Sequence, residues 1–129
     1  VESHIDNSKQ VLVLAVEDGA DNLELMIQVL ELIGFPLITA TDGRTAIAMA
    51  QQHQPDLILL DMLLPDITGV EVAQSLKQDS RTAKIPIIAV TAMVAKEEKE
   101  RFLAAGCVDF VAKPYDIEFL ETVIQRYLS

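Results

Sequence analysis

The stretch Leu57-Ile58-Leu59-Leu60-Asp61-Met62-Leu63-Leu64-Pro65-Asp66-Ile67-Thr68-Gly69 sets an unbroken aliphatic run against an acid, then follows the acid with a loop carrying Pro65 and Gly69. A run that is apolar at every position, without polar alternation, belongs to a strand covered on both faces, which is the habit of parallel sheets. Asp61 therefore closes a buried strand and carries its side chain to the mouth of the sheet, not into the core.

Similar Val-, Ile- and Leu-rich runs lie on either side: Val11 to Val16, Leu37 to Thr41, Ile87 to Thr91 and Phe110 to Ala112. Helical patterns separate them. In Asn22 to Gly34, residues Leu23, Met26, Ile27, Leu30 and Ile33 recur at the i, i+3, i+4, i+7 spacing of one helix face. Arg44 to Gln52, Gly69 to Gln78, Lys96 to Ala105 and Ile117 to Tyr127 repeat the role, the last with Leu120, Val123, Ile124 and Tyr127 on one side. Gly34 and Gly106 stand just past helix ends, where a left-handed cap favours glycine. Strict alternation with short connections predicts right-handed crossovers and a sheet with helices on both faces. At 129 residues the chain is too short for an eight-fold barrel, which needs about 200 residues or more. An open doubly wound α/β sandwich of (βα)5 form is the expected fold.

Composition agrees with one small acidic domain. Twenty acidic side chains against ten basic ones give a formal charge of −10, and half of the residues are hydrophobic. Excess carboxylate repels phosphate backbones and anionic lipids, so direct binding of nucleic acid or membrane is not expected. None of the apolar runs approaches the roughly 18 to 20 residues of a membrane span. The single cysteine, Cys107, excludes an internal disulfide and multi-cysteine zinc sites, and it reads as a small buried hydrophobe. Cytoplasm is the expected compartment. Residues 1–10 read as a polar N-terminal extension and 11–129 as the folded domain; Val1 in place of an initiator Met suggests a piece of a longer protein.

In open parallel sheets, ligands bind beyond the carboxyl ends of the strands, where strand order reverses. Those ends carry Glu17-Asp18 after the first run, Asp61 after the third, Thr91 at the fourth and Lys113-Pro114 after the fifth. Carboxylates brought so close repel one another unless a cation intervenes. Magnesium suits them: it prefers oxygen ligands, keeps several waters and works beside phosphate. Lys113 and Thr91 fit an anionic guest, as a point charge and a hydroxyl donor. With metal and ammonium to neutralise developing charge, a carboxylate can attack phosphorus, and Asp61 is the candidate nucleophile.

Taken in order, Val16-Glu17-Asp18, the stretch from Asp61 to Gly69, Val90-Thr91-Ala92 and Val111-Ala112-Lys113-Pro114 resemble the receiver domain of two-component response regulators, over about Val11 to Tyr127. The resemblance implies a flavodoxin-like five-stranded sheet in the order 2-1-3-4-5. It implies Asp61 as phosphoacceptor, charged by a histidine kinase or phosphotransfer protein. Glu17, Asp18 and the backbone carbonyl of Met62 would join Asp61 around Mg2+. Thr91 and Lys113 would bind the phosphoryl group, with a cis Lys113-Pro114 bond. Phe110 matches the family's switch aromatic, expected to turn inward with Thr91. Leu63 and Met93 match positions whose bulk governs phosphate lifetime.

Such a module is a switch and not principally an enzyme, although it assists its own phosphorylation and dephosphorylation. Its output would pass to an effector protein or a covalently linked output domain, and the chain would be a stand-alone receiver or part of a larger regulator or hybrid kinase. Glu17 stands where the family more often has Asp, which leaves a docking-only pseudo-receiver as an alternative. A phosphohydrolase using an Asp nucleophile is the other. The run Lys96 to Arg101 reads as a solvated helix face, His4 and His53 as surface residues, Met26 and Met49 as core, and Met62 and Met93 as loop residues near the mouth.

Overall fold

The computed structural model describes residues 11–92 and 94–128. The expected extension over residues 1–10, with His4, and the expectation for Met93 lie outside the described residues. Five strands, β1 (Val13–Val16), β2 (Leu37–Ala40), β3 (Leu57–Asp61), β4 (Ile87–Thr91) and β5 (Asp109–Ala112), alternate with five helices. The helices are α1 (Ala20–Ile33), α2 (Gly43–His53), α3 (Gly69–Gln78), α4 (Lys96–Ala105) and α5 (Ile117–Leu128). All strand pairs are parallel, in the order β2-β1-β3-β4-β5. This is the doubly wound 2-1-3-4-5 sandwich, and strand order reverses between β1 and β3.

The period of two along each strand divides the continuous apolar runs between two cores. Leu14, Val16, Ile58, Leu60, Ile87 and Ala89 face α2, α3 and α4, meeting Ala46, Ala50, Val72, Leu76 and Phe102. Val13, Ala15, Leu57, Leu59, Ile88, Val90 and Val111 face α1 and α5, meeting Met26, Val29, Leu30, Leu120, Val123 and Ile124. A fully buried Leu or Ile contributes on the order of 2 kcal/mol. Two such cores leave the fold able to carry several kcal/mol of unfavourable charge at one edge.

Local chemistry sets the ends of the helices. Asp42 caps α2 by accepting from the Thr45 N–H at 2.7 Å. Thr68 and Glu71 cap α3 reciprocally, at 3.1 Å and 2.9 Å. Gly34 and Gly106 end α1 and α4 at φ 102° and 114°, the left-handed region that a side chain rarely adopts.

Several boundaries and packing expectations need correction. Helix α1 starts at Ala20, two residues before Asn22, and buries Val29 beside Met26 and Leu30, while Leu23, Ile27 and Ile33 are half-buried. Strand β1 begins at Val13 and β3 runs through Asp61. Strand β2 is covered on both faces only at Ala40, because it is an edge strand. Met62 is buried, not a loop side chain at the mouth, and Met49 is half-buried. Tyr127 is half-buried too, donating its hydroxyl to the Val108 carbonyl at 3.2 Å and to Asp109 Oδ2 at 3.0 Å. Cys107 is buried as expected, and burial pushes its thiol up to about 11, which leaves it protonated and inert.

Candidate functional site

The carboxyl ends of β1, β3, β4 and β5 meet at one edge, and the ladder holds their functional residues almost as firmly as the strands. The Glu17 N–H donates to the Ala40 carbonyl at 3.1 Å, and the Lys113 N–H to the Thr91 carbonyl at 2.9 Å. Both residues thus extend the parallel pairing by one step. Asp61 pairs in register with Val90, and Thr91 with Ala112.

Glu17, Asp18 and Asp61 each bring a carboxylate oxygen within 4.8 Å of the others. Glu17 and Asp61 are buried, whereas Asp18 is exposed, so the cluster opens to solvent on one side. These donors are hard oxygens, a set that suits a hard divalent cation and not a soft metal. The three residues line a cleft of roughly 400 Å³ with Gly19, Asn22, Leu63, Leu64, Pro65, Ala92 and Lys113. A second, more apolar pocket of roughly 360 Å³ adjoins it, sharing Glu17, Asn22, Ala92 and Lys113 and adding Leu25, Pro114 and Tyr115.

The Lys113 ammonium reaches into the carboxylates. Its Nζ lies 2.6 Å from Glu17 Oε1 and 3.6 Å from Asp61 Oδ2. Glu17 Oε2 accepts from the Gly19 N–H at 3.2 Å, and Asp61 Oδ1 from the Leu63 N–H at 3.1 Å. Asp61 Oδ2 is thereby the oxygen turned toward the lysine. Burial pushes the Asp61 carboxyl up to about 6; the Leu63 amide and Lys113 pull against it, while the neighbouring Glu17 adds to it. A carboxylate in that state gains from any cation delivered to it.

The other expected residues take separate places. Thr91 closes β4 and is buried, and Ala92 after it lines the cleft. The Lys113-Pro114 bond is cis. Met62 contributes its carbonyl to the Gly69 N–H at 3.1 Å, which still leaves that oxygen a lone pair. Phe110 lies outside the cleft, half-buried against the α2–α4 core, with Lys99 Nζ 4.6 Å from its ring centroid. His53 is exposed at the end of α2.

Three features escaped sequence reading. Asp66 accepts the N–H groups of Gly43 and Arg44 at 2.8 Å and 2.9 Å, tying the loop after Asp61 to the start of α2. Those bonds, led by Gly43, hold its carboxyl down at about 2. An acid just after a proline was the available signal, but its partners lie 22 and 23 residues away. Gly69 touches the Met62 backbone so closely that a Cβ there would sit 2.6 Å from Met62 Cα. The bond between Glu17 and Lys113 spans 96 residues, and no local pattern announces it.

Comparison with known proteins gives a consistent picture. A family model described as response regulator receiver domain matches residues 13–125. The polar-differentiation response regulator DivK of Brucella anthropi is 40% identical over 118 residues, covering 91% of this chain and 95% of the relative. Among solved structures, the chemotaxis protein CheY4 of Vibrio cholerae superposes with a TM-score of 0.88 at 32% identity, covering 93% of this chain and 100% of that one. The receiver domain of a Pseudomonas aeruginosa sensor histidine kinase, which carries a magnesium ion in its active-site cleft, gives 0.87 at 29% identity, covering 93% of this chain and 98% of that one.

Proposed function

The chain belongs to the response regulator receiver family, and from that premise we propose that Asp61 accepts a phosphoryl group from the phosphohistidine of a histidine kinase or phosphotransfer protein. As a receiver domain of two-component signalling it is a switch. The observation that carries the assignment of roles is the cluster of Glu17, Asp18 and Asp61 with the Lys113 ammonium beside Asp61 Oδ2.

In the transfer, Asp61 Oδ2 attacks phosphorus as the bond from phosphorus to the imidazole nitrogen breaks. The imidazole leaves with that electron pair, and the carboxylate becomes an acyl phosphate. Lys113 Nζ, on its flexible stem, moves to a phosphoryl oxygen, and the Thr91 hydroxyl donates to another. Glu17, Asp18, Asp61 and the Met62 carbonyl would hold Mg2+, which supplies charge neutralisation for the transferring group when bound. Movement of Thr91 then biases Phe110 on β5, and with it the face formed by α4 and β5, toward a second arrangement. That face passes the signal to an effector protein or a linked output domain. No helix among the described residues is long and apolar enough to cross a membrane, and we place the domain in the cytoplasm, where kinase phosphohistidines are made.

A phosphodonor assay with acetyl phosphate and Mg2+ separates this reading from its competitors. Incorporation should saturate at about one phosphoryl group per chain, followed by slow release. Sustained multiple turnover of small phosphate esters would point to a phosphohydrolase, and no incorporation at all to a docking module. Leu63 is 60% exposed at the rim of the cleft, where its bulk shields the acyl phosphate from water. Leu63→Asn should therefore speed dephosphorylation several-fold, and an unchanged decay rate would remove Leu63 from the account.

A further inference from the structure

The loop between β3 and α3 is fastened at two points. At its base the Gly69 N–H donates to the Met62 carbonyl at 3.1 Å. Farther along, Asp66 reaches across to α2, where its Oδ1 accepts the Gly43 N–H at 2.8 Å and its Oδ2 the Arg44 N–H at 2.9 Å. Both carboxylate oxygens are thereby engaged on amides that a helix leaves without partners in its own first turn. The next amide, that of Thr45, is taken by Asp42 at 2.7 Å. The Arg44 guanidinium adds little, since its Nε lies 3.8 Å from Asp66 Oδ2 on a side chain that is 76% exposed. The loop packs as closely as it bonds: a Cβ placed on Gly43 would stand 2.5 Å from Ile67 Cγ1.

Between the two fastenings lie Leu63, Leu64 and Pro65, which line the cleft, whereas Asp66 does not. The Leu63 N–H donates to Asp61 Oδ1 at 3.1 Å. That bond holds the plane of the carboxylate and leaves Oδ2 as the oxygen open to phosphorus. We infer that Asp66 is a positioning residue for phosphoryl acceptance: by tying the loop to α2 it keeps the Leu63 N–H on Asp61 and so aims the nucleophilic oxygen. This rests on the reading of Asp61 as phosphoacceptor. An amide orients a neighbouring carboxylate only while its own backbone stays ordered, and ordering a loop costs conformational entropy. Two charge-assisted bonds into the first turn of a helix packed on the core offset that cost, and the helix dipole adds to them. Without them the loop is free to draw the Leu63 amide away, and the carboxylate turns about its own bond out of line for attack.

The test compares full-length wild type with Asp66→Ala, Asp66→Asn and Asp42→Ala. Asp42→Ala removes the other carboxylate at the same helix end, so it weakens α2 without removing the tie to the loop. Initial rates of phosphoryl incorporation from acetyl phosphate are read by intact mass at saturating Mg2+. Asp66→Ala should slow incorporation about tenfold and Asp66→Asn, which keeps one acceptor oxygen, about threefold, while Asp42→Ala stays within about twofold of wild type. The Leu63 1H–15N signal supplies a readout that weakening of α2 alone would not move. It should shift and exchange with solvent about tenfold faster in Asp66→Ala, and match wild type in Asp42→Ala. A wild-type rate in Asp66→Ala, or equal slowing in Asp66→Ala and Asp42→Ala, would overturn the role, and so would an unmoved Leu63 signal. Should the alanine variant not fold, the asparagine variant decides on the same two readouts. If the wild type incorporates no phosphoryl group, the reading of Asp61 falls and this role with it. Incorporation by the wild type together with an unslowed Asp66 variant sinks the role alone.

Discussion

The Asp61→Asn variant of the metal-free protein is expected to be more stable than wild type at pH 7.5, by about 2–3 kcal/mol, a rise of several degrees in Tm. The reason is the position of Asp61 at the buried end of β3, where burial raises its carboxyl to about 6 from an ordinary 3.8. The native state then binds its proton more tightly than the unfolded state does. Below about pH 4 both states hold the proton, and Asp61 costs nothing through titration. Between about 4 and 6 the unfolded chain ionises first, so native stability falls as pH rises; above about 6 the whole penalty is present. Asparagine keeps the shape and removes the charge. The stabilisation should therefore be largest at neutral pH, shrink as pH falls through 6, and disappear near 4. Mg2+ should narrow the gap between variant and wild type, because it neutralises the carboxylates that asparagine relieves. Thermal melts at three pH values check this, and a Tm gain that is absent, or independent of pH, would contradict the electrostatic account of the site.

The second large effect is steric. Gly69 opens α3 with an ordinary backbone conformation, and a helix position would normally favour alanine by up to about 1 kcal/mol. Here an added Cβ would lie 2.6 Å from Met62 Cα and 2.8 Å from Met62 Sδ. The thioether can swing aside, but the Cα cannot, since Met62 is buried directly after β3 and its carbonyl accepts the Gly69 N–H at 3.1 Å. Gly69→Ala must push apart the start of α3 and the residue beside Asp61. We expect a net loss of about 1–3 kcal/mol and, with the Met62 carbonyl as a proposed ligand, weaker Mg2+ binding. Gly43→Ala is the comparison: its methyl would meet Ile67 Cγ1 at 2.5 Å and Val72 Cγ2 at 2.8 Å, so its cost falls on side-chain packing and not on the backbone beside Asp61. Denaturant melts of both variants, with Mg2+ titrations, measure the pair. A Gly69→Ala protein as stable as wild type would show that the loop has more freedom than the contact implies.

How far these features were legible before the structure depends on what holds them. Asp61, Glu17, Asp18 and Lys113 each follow an apolar run, so the ends of the strands, and with them the site, could be read one element at a time. The two-core sandwich was equally accessible, because continuous apolarity in Leu57–Leu60 and Ile87–Val90 has no other economical use in alternation with amphipathic helices. What stayed hidden were contacts set only by tertiary placement. Lys113 lies 2.6 Å from Glu17 and 3.6 Å from Asp61, and the first of these contacts joins residues 96 positions apart. Asp66 carries no local signal of its partners, yet it anchors the loop after Asp61 to α2 through two amides far back in the chain. Met62 read as a loop residue because it follows the strand, although its side chain is 2% exposed under Gly69. The half-cover of β2 likewise follows from its place at the edge of the sheet, which its own Leu37–Ala40 sequence does not encode.

Intact-mass measurement after incubation with a phosphodonor and Mg2+ bears most directly on the central claim, that Asp61 is the phosphoacceptor of this receiver. Wild type should gain the mass of a single phosphoryl group, lose it on standing or in alkali as an acyl phosphate does, and Asp61→Asn should gain none. A phosphoryl adduct of equal yield on Asp61→Asn, or none on the wild type with either acetyl phosphate or a phosphorylated histidine donor, would contradict it.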